Sequence, residues 1–358
     1  MTLLLLALWG CAPSDTVDAP TMDSGASVQD PLAWAADEVG PYRVGHRSWP
    51  ITYTPLPGEN RTIEVHAWFP TDDTTGEPVS YGGVYPAGAD ILGDAAPSDP
   101  AHERGWPVMV FSHGDRAYGG SAEYLMAHFA SHGWVAIAPD HTDNLLWANA
   151  EPTPQGHWYH RPLDVLASLG ALEEDAELSR ADTDTWLLTG HSRGTSTVWT
   201  LAGATFEEGT PDNWCAGCTP AQTSLFRDGS LTGSGVIAAL PLAGTIRTSL
   251  FGDAGHRSVN VPVMHLSGSE DDVGQAAEFE RLDGLDYTWV DFEGACHQTF
   301  TIGACSSIDT ADGWWLIQTY ALAFARYQVL DDRTAPVVEW VEGTRTLDPR
   351  VRYARRTE

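Results

Sequence analysis

The stretch Thr185–Gly194, TWLLTGHSRG, constrains this chain more than any other segment: an apolar run of β type passes into G-x-S-x-G and then into a helix-forming run, Thr195–Leu201. A strand that turns at once into a helix brings two stretches of backbone nearly into contact. Side chains must be missing on both sides of the turn, which accounts for Gly190 and Gly194, and Ser192 between them is held in a strained conformation at the carboxyl end of a sheet. That is the local form of a nucleophile elbow, and it demands a sheet of largely parallel strands around it.

The rest of the chain supplies the pieces of such a sheet. Val108–Phe111, Trp134–Ala138, Trp186–Leu188, Val236–Leu240, Val261–Leu266 and Tyr287–Phe292 are short, continuously apolar runs, as strands buried on both faces are. Helical patterns at Ala122–Ser131, Arg161–Leu172 and Thr195–Ala202 lie between them, and Ala311–Leu330 closes the series as an amphipathic helix. Ile63–Phe69, IEVHAWF, alternates apolar and polar residues, which predicts an antiparallel strand at a sheet edge within an amino-terminal meander. The expected fold class is α/β, a mostly parallel doubly wound sheet in one domain over 41–331. Residues 203–235, rich in Gly, Pro and Asp, break the rhythm and predict a cap or lid insertion; 332–358 reads as a carboxyl-terminal tail.

Charge excludes several functions. The formal net charge is −30, from 49 acidic residues against 19 basic ones, and every basic residue is arginine. Such a surface repels nucleic acid and anionic lipid headgroups. Without lysine there is no Ser-Lys dyad, no Schiff base and no P-loop. No cofactor or metal set is implied; Cys215-x-x-Cys218 could be half a zinc site, but it lacks a second ligand pair.

The amino terminus, MTLLLLALWGCAPSDT, has an apolar run far too short to span a bilayer. It resembles the end of a bacterial lipoprotein signal peptide over residues 1–11, with Leu8-Trp9-Gly10 before a lipidated Cys11, and 12–40 reads as a flexible tether. The chain is therefore expected to be exported and anchored to a membrane by lipid; Ala12 after Cys11 favours the outer membrane or cell surface. Export permits disulfides among Cys215, Cys218, Cys296 and Cys305, the local pairing being Cys215 with Cys218 and Cys296 with Cys305.

A serine nucleophile needs a base, and the base needs an orienting acid, in chain order Ser, acid, His. EGACHQTF after Tyr287–Phe292 places His297 in the loop behind the last strand. SGSEDDVG after Val261–Leu266 offers Glu270, Asp271 and Asp272, of which Asp271 has the expected spacing from Gly268 and Asp272 is the second choice. The oxyanion needs two backbone N–H donors: that of Arg193, and one from SHGDRAYGG after Val108–Phe111, for which Asp115 is the candidate, its carboxylate turned away or paired with Arg116. Tyr118, Trp147, Trp158, Tyr159 and Trp214 are candidates for shaping a pocket.

Together, RVGHRSWPITY with RTIEVHAWFP, VMVFSHGDRAYGGS, GWVAIAPDHTDN and LLTGHSRGTS resemble the bacterial dienelactone-hydrolase-like and platelet-activating-factor-acetylhydrolase-like branch of the α/β-hydrolases, over about Val44 to Leu330. The resemblance implies an α/β-hydrolase fold and a cofactor-free serine hydrolase of carboxylic esters, acting on a small or polymeric ester through an acyl-enzyme. It also implies that Arg161 and Asp164 are a structural pair on the helix before the elbow. Ser192 stands where dienelactone hydrolases have cysteine, and the acid follows a later strand than in the acetylhydrolases. The alternatives are an acyltransferase with the same triad and a catalytically inactive scaffold.

Overall fold

A computed structural model describes residues 30–147 and 156–357, apart from 216, 272, 302 and 304. Strands β1 (Arg43–Tyr53) and β2 (Arg61–Thr71) form a long antiparallel hairpin, and β3 (Ile91–Gly93) joins β1 in parallel. Then come β4 (Trp106–Ser112), β5 (Val135–Pro139), β6 (Ala181–His191), β7 (Val236–Leu242), β8 (Val263–Gly268) and β9 (Tyr287–Phe292), all mutually parallel, and β10 (Val351–Arg356), antiparallel to β9. The ten strands form one sheet in the order β10-β9-β8-β7-β6-β4-β5-β2-β1-β3. The helices are α1 (Glu123–Ser131), α2 (His157–Glu174), α3 (Gly194–Leu201), α4 (Thr210–Trp214), α5 (Pro220–Ser224), α6 (Thr248–Phe251), α7 (Gln275–Arg281), α8 (Thr310–Val329) and α9 (Ala335–Val341).

The apolar runs are continuous because each central strand is covered twice. In β4, Val108 and Val110 pack with Val165 and Leu169 of α2 and Val198 of α3, while Met109 and Phe111 pack with Phe129 of α1 and with Tyr320 and Phe324 of α8. Alternate side chains thus enter opposite layers, both of them mainly apolar, and polar strand residues such as Ser112 and His265 are buried with hydrogen-bond partners. The architecture is the expected mostly parallel α/β sheet with helices on both sides.

Four local expectations need correcting. β2 is interior, between β1 and β5, and from Val65 to Thr71 it is buried throughout; its few polar residues hid this. Part of the expected tether, 30–40, is docked: Arg326 donates to the carbonyls of Leu32 and Trp34, Trp315 Nε1 to that of Asp37, and Ala36 is buried. The expected tail holds α9 and β10, so 332–358 completes the sheet edge. Gln222 of the 203–235 insertion bonds Glu59 and Tyr159, and the segment packs on α2 rather than over Ser192. Cys11 lies outside the described residues.

Because β4, β6, β8 and β9 run the same way, their carboxyl ends meet at one sheet edge. Residues 112–118, Ser192, Asp271 and Cys296–His297 follow those ends.

Candidate active site

Ser192 occupies the single residue between the end of β6 and the N-cap of α3, with φ 54°, a left-handed value that costs a residue bearing a side chain on the order of 1–3 kcal/mol. The glycines have the role their positions suggested. A Cβ on Gly190 would lie 2.8 Å from the Gly194 carbonyl oxygen, and a Cβ on Gly194 would run into the Ser112 carbonyl at the end of β4. The Ser192 N–H donates to the Leu242 carbonyl at 3.0 Å, tying the turn to β7.

The tertiary fold brings His297 and Asp271 to that serine across 105 and 26 residues respectively from their partners. His297 Nδ1 is 2.8 Å from Asp271 Oδ2, and His297 Nε2 is 2.9 Å from Ser192 Oγ. A carboxylate only accepts, so Nδ1 carries the proton and Nε2 is left to accept from the serine hydroxyl. The Asp271 side chain is 6% exposed and that of His297 32%, so the carboxylate is shielded while the imidazole faces the cavity. Glu270 is exposed, and Asp272 lies outside the described residues. His191 Nε2 donates to the His297 carbonyl at 3.1 Å, with its ring 4.6 Å from that of His297. Burial, and then His297, push His191 down to about 3, so it stays neutral.

Neither Arg193 nor Asp115 donates its backbone N–H to another group among the described residues. The orientation of the Asp115 N–H has an identifiable cause. Arg161, 2% exposed, donates Nη2 to the Gly114 carbonyl at 3.0 Å and Nη1 to the His113 carbonyl at 2.6 Å, and His113 Nδ1 is 2.8 Å from the same Gly114 oxygen. With that carbonyl held toward the interior, a trans peptide turns the Asp115 N–H the opposite way. The Asp115 carboxylate pairs with Arg193 Nε at 2.7 Å and accepts from Asn144 at 3.0 Å, so of the two arrangements expected, turned away or paired with Arg116, the pairing partner is a different arginine. Partial burial raises its pKa, but Asn144 and Arg193 outweigh that and hold Asp115 below the ordinary carboxylate value.

Beneath this loop lies a second serine, histidine and aspartate. Ser112 Oγ is 2.9 Å from His141 Nε2 and His141 Nδ1 is 2.8 Å from Asp164 Oδ2, the aspartate also accepting from Arg61 and Tyr53. All three members are within 1% of fully buried, so no substrate reaches Ser112, and the array serves as a polar strut between β4, α2 and the hairpin. Sequence reasoning reached Asp164 only through family resemblance and missed His141, whose one signal is its place two residues after β5.

Ser192 opens into a cavity of about 320 Å³ lined by Asp115, Tyr118, Leu146, His191, His297 and Gln298, among others. Of the aromatic candidates Tyr118 lines it, with Trp147 5.3 Å behind; Trp158 sits under Arg193 and against Trp214 of the insertion, and Tyr159 accepts a hydrogen bond from Gln222 of the insertion. Cys215 with Cys218 and Cys296 with Cys305 stand at disulfide distance, the latter bracing the loop that carries His297.

Layers, strand order and site position together define the α/β-hydrolase fold. A family model described as chlorophyllase matches residues 97–209, from the segment before β4 through the helix after Ser192. Among solved structures, a ferulic acid esterase from Streptomyces cinnamoneus superposes with TM-score 0.61 at 17% identity, over 90% of this chain and 98% of that one. No curated protein sequence matches the chain. The matching family model is neither that of the dienelactone hydrolases nor that of the platelet-activating-factor acetylhydrolases.

Proposed function

We propose that the protein is a serine hydrolase of carboxylic esters. Ser192 attacks the ester carbonyl, His297 takes its proton, and Asp271 holds the imidazole tautomer and stabilises the imidazolium. The backbone N–H groups of Arg193 and Asp115 receive the oxyanion. The same histidine then protonates the departing alcohol, and water repeats the sequence in reverse to free the acid. The observation that carries this reading is the two-step relay, 2.8 and 2.9 Å, ending on a serine with left-handed φ beside two N–H groups that have no acceptor among the described residues. The chlorophyllase match and the neighbour named as a ferulic acid esterase support the reaction class. The lipobox-like segment at Cys11 supports the further reading that the enzyme is exported and membrane-anchored.

The test is hydrolysis of p-nitrophenyl esters from acetate to palmitate by residues 12–358 beside Ser192→Ala, with fluorophosphonate labelling of both. Turnover and labelling in the parent, both lost in the variant, are expected. A folded parent that neither turns over an ester nor takes the label refutes the proposal.

A further inference from the structure

Around Ser192 a chain of net charge −30 gathers positive charge. Arg193 follows the serine directly. Arg247 lies on the loop after β7, which is fastened to the elbow: a Cβ on Gly244 would stand 2.7 Å from the Ser192 carbonyl oxygen, and Thr195 Oγ1 is 3.4 Å from the Thr245 carbonyl. The two guanidinium groups lie over the same Trp158 ring, 5.4 and 5.7 Å from its centroid. Arg193 has Asp115 as counter-ion and also bonds His157 Nε2 at 2.9 Å. Arg247 is exposed and, among the described residues, has neither ion-pair nor hydrogen-bond partner beyond its ring contact.

Like charges this close repel. Although the Arg247 side chain reaches solvent, partial desolvation of its guanidinium, and then Arg193, hold it below the ordinary guanidinium value; full burial, and then Arg193, push Arg161 behind the 112–118 loop down to about 9. Asp115 is the carboxylate that all three guanidinium groups share. An added anion relieves this imbalance, and a guanidinium fork matches the two oxygens of an ionised acid. A local positive field in an otherwise acidic protein also draws anionic substrates to one place on the surface.

We propose that Arg247, with Arg193 beside it on Trp158, forms a subsite for an ionised acid group on the substrate, so that the favoured esters carry a carboxylate away from the scissile bond. The inference rests on the ester-hydrolase reading above and deepens it to a substrate class. Charge on the ester, not bulk, then decides preference among small substrates.

Two matched pairs test it in the full chain: p-nitrophenyl hexanoate against mono-p-nitrophenyl adipate, with the charge on the acyl side, and phenyl hexanoate against 4-carboxyphenyl hexanoate, with it on the alcohol side. One charged member is expected to exceed its neutral partner in kcat/KM by about tenfold at about 20 mM salt, the ratio shrinking toward about 500 mM. Arg247→Gln is expected to lower that ratio about tenfold and Arg247→Lys to keep part of it. A parent without charge preference, or a ratio unmoved in Arg247→Gln, overturns the subsite and leaves the hydrolase reading standing. A folded parent that hydrolyses none of the four esters overturns the hydrolase reading, and the subsite with it.

Discussion

Replacing Arg161 by methionine separates the oxyanion loop's geometry from the rest of the site. Methionine keeps an unbranched apolar stem in a position that is 2% exposed, and removes bonds to the His113 and Gly114 carbonyls and to Asn144 Oδ1, at 2.6, 3.0 and 2.8 Å. The Gly114 oxygen keeps His113 Nδ1, and Asn144 Oδ1 keeps the Arg116 N–H at 3.3 Å, so the His113 carbonyl alone loses its side-chain donor outright. A buried acceptor left unpaired costs about 1–3 kcal/mol, and two weakened partners add to that. Loss of the guanidinium's own desolvation, visible in a pKa of about 9, offsets part, leaving a net destabilisation of roughly 2–4 kcal/mol. Removal of a whole oxyanion donor costs about 10²–10³ in kcat. With one of two restraints on the Gly114 carbonyl remaining, kcat is expected to fall about 10- to 100-fold while KM changes little, because the Asp115 N–H acts on the transition state rather than on the bound ester. The assay is steady-state p-nitrophenyl acetate hydrolysis well below the melting temperature, beside thermal melts and Arg161→Lys, which should restore part of kcat. A folded methionine variant with kcat within about threefold of the parent refutes the argument that Arg161 aims the Asp115 N–H.

Acid should destabilise the protein through its buried histidines. Burial is the first cause lowering His46, His128 and His191 to about 3 and His132 to about 4, and it holds His113 and His141 well below 6.5. The unfolded chain binds protons that the native state refuses, so their contribution is complete above about pH 6.5 and is lost as pH falls toward the folded values near 3 to 4. Near pH 5 unfolding is expected to take up about five or six protons, each adding about 1.4 kcal/mol per pH unit to the slope of stability measured by denaturant titration. An uptake below about two protons contradicts the burial assignment. Reducing the Cys296–Cys305 pair is expected to cost roughly 2–3 kcal/mol of stability and to lower kcat, since the closed loop holds His297; melts and ester turnover with and without reductant check this, and unchanged kcat at full reduction argues against the bracing role.

Much of the site was legible because its chemistry has local signatures. Ser192 between Gly190 and Gly194 is fixed by a steric demand within five residues, and His297 and Asp271 each follow an apolar strand whose end lies at the edge of the sheet that carries Ser192. Where the sequence misled, a contact of long range had replaced a local rule. β2 alternates like an edge strand, yet it lies inside the sheet, and Val65 to Thr71 are buried because its side chains enter packed layers on both faces, Trp68 in one and Val65, Ala67 and Phe69 in the other. The 332–358 segment lacks a strong apolar run, yet Val351–Arg356 pairs along the whole of β9, backbone hydrogen bonds tolerating its arginines at an edge.

By itself, then, the amino-acid sequence determined the parallel sheet, the strained serine and the order of the three candidate triad residues, since periodicity and a tight turn are written in neighbouring positions. Only the tertiary structure decided that Asp115 pairs with Arg193, that Arg161 orients the Gly114 carbonyl, that Ser112, His141 and Asp164 are sealed from substrate, and that Arg193 and Arg247 share one tryptophan. Those partners come from different strands and loops, and burial and charge balance between them depend on distances that no spacing along the chain encodes.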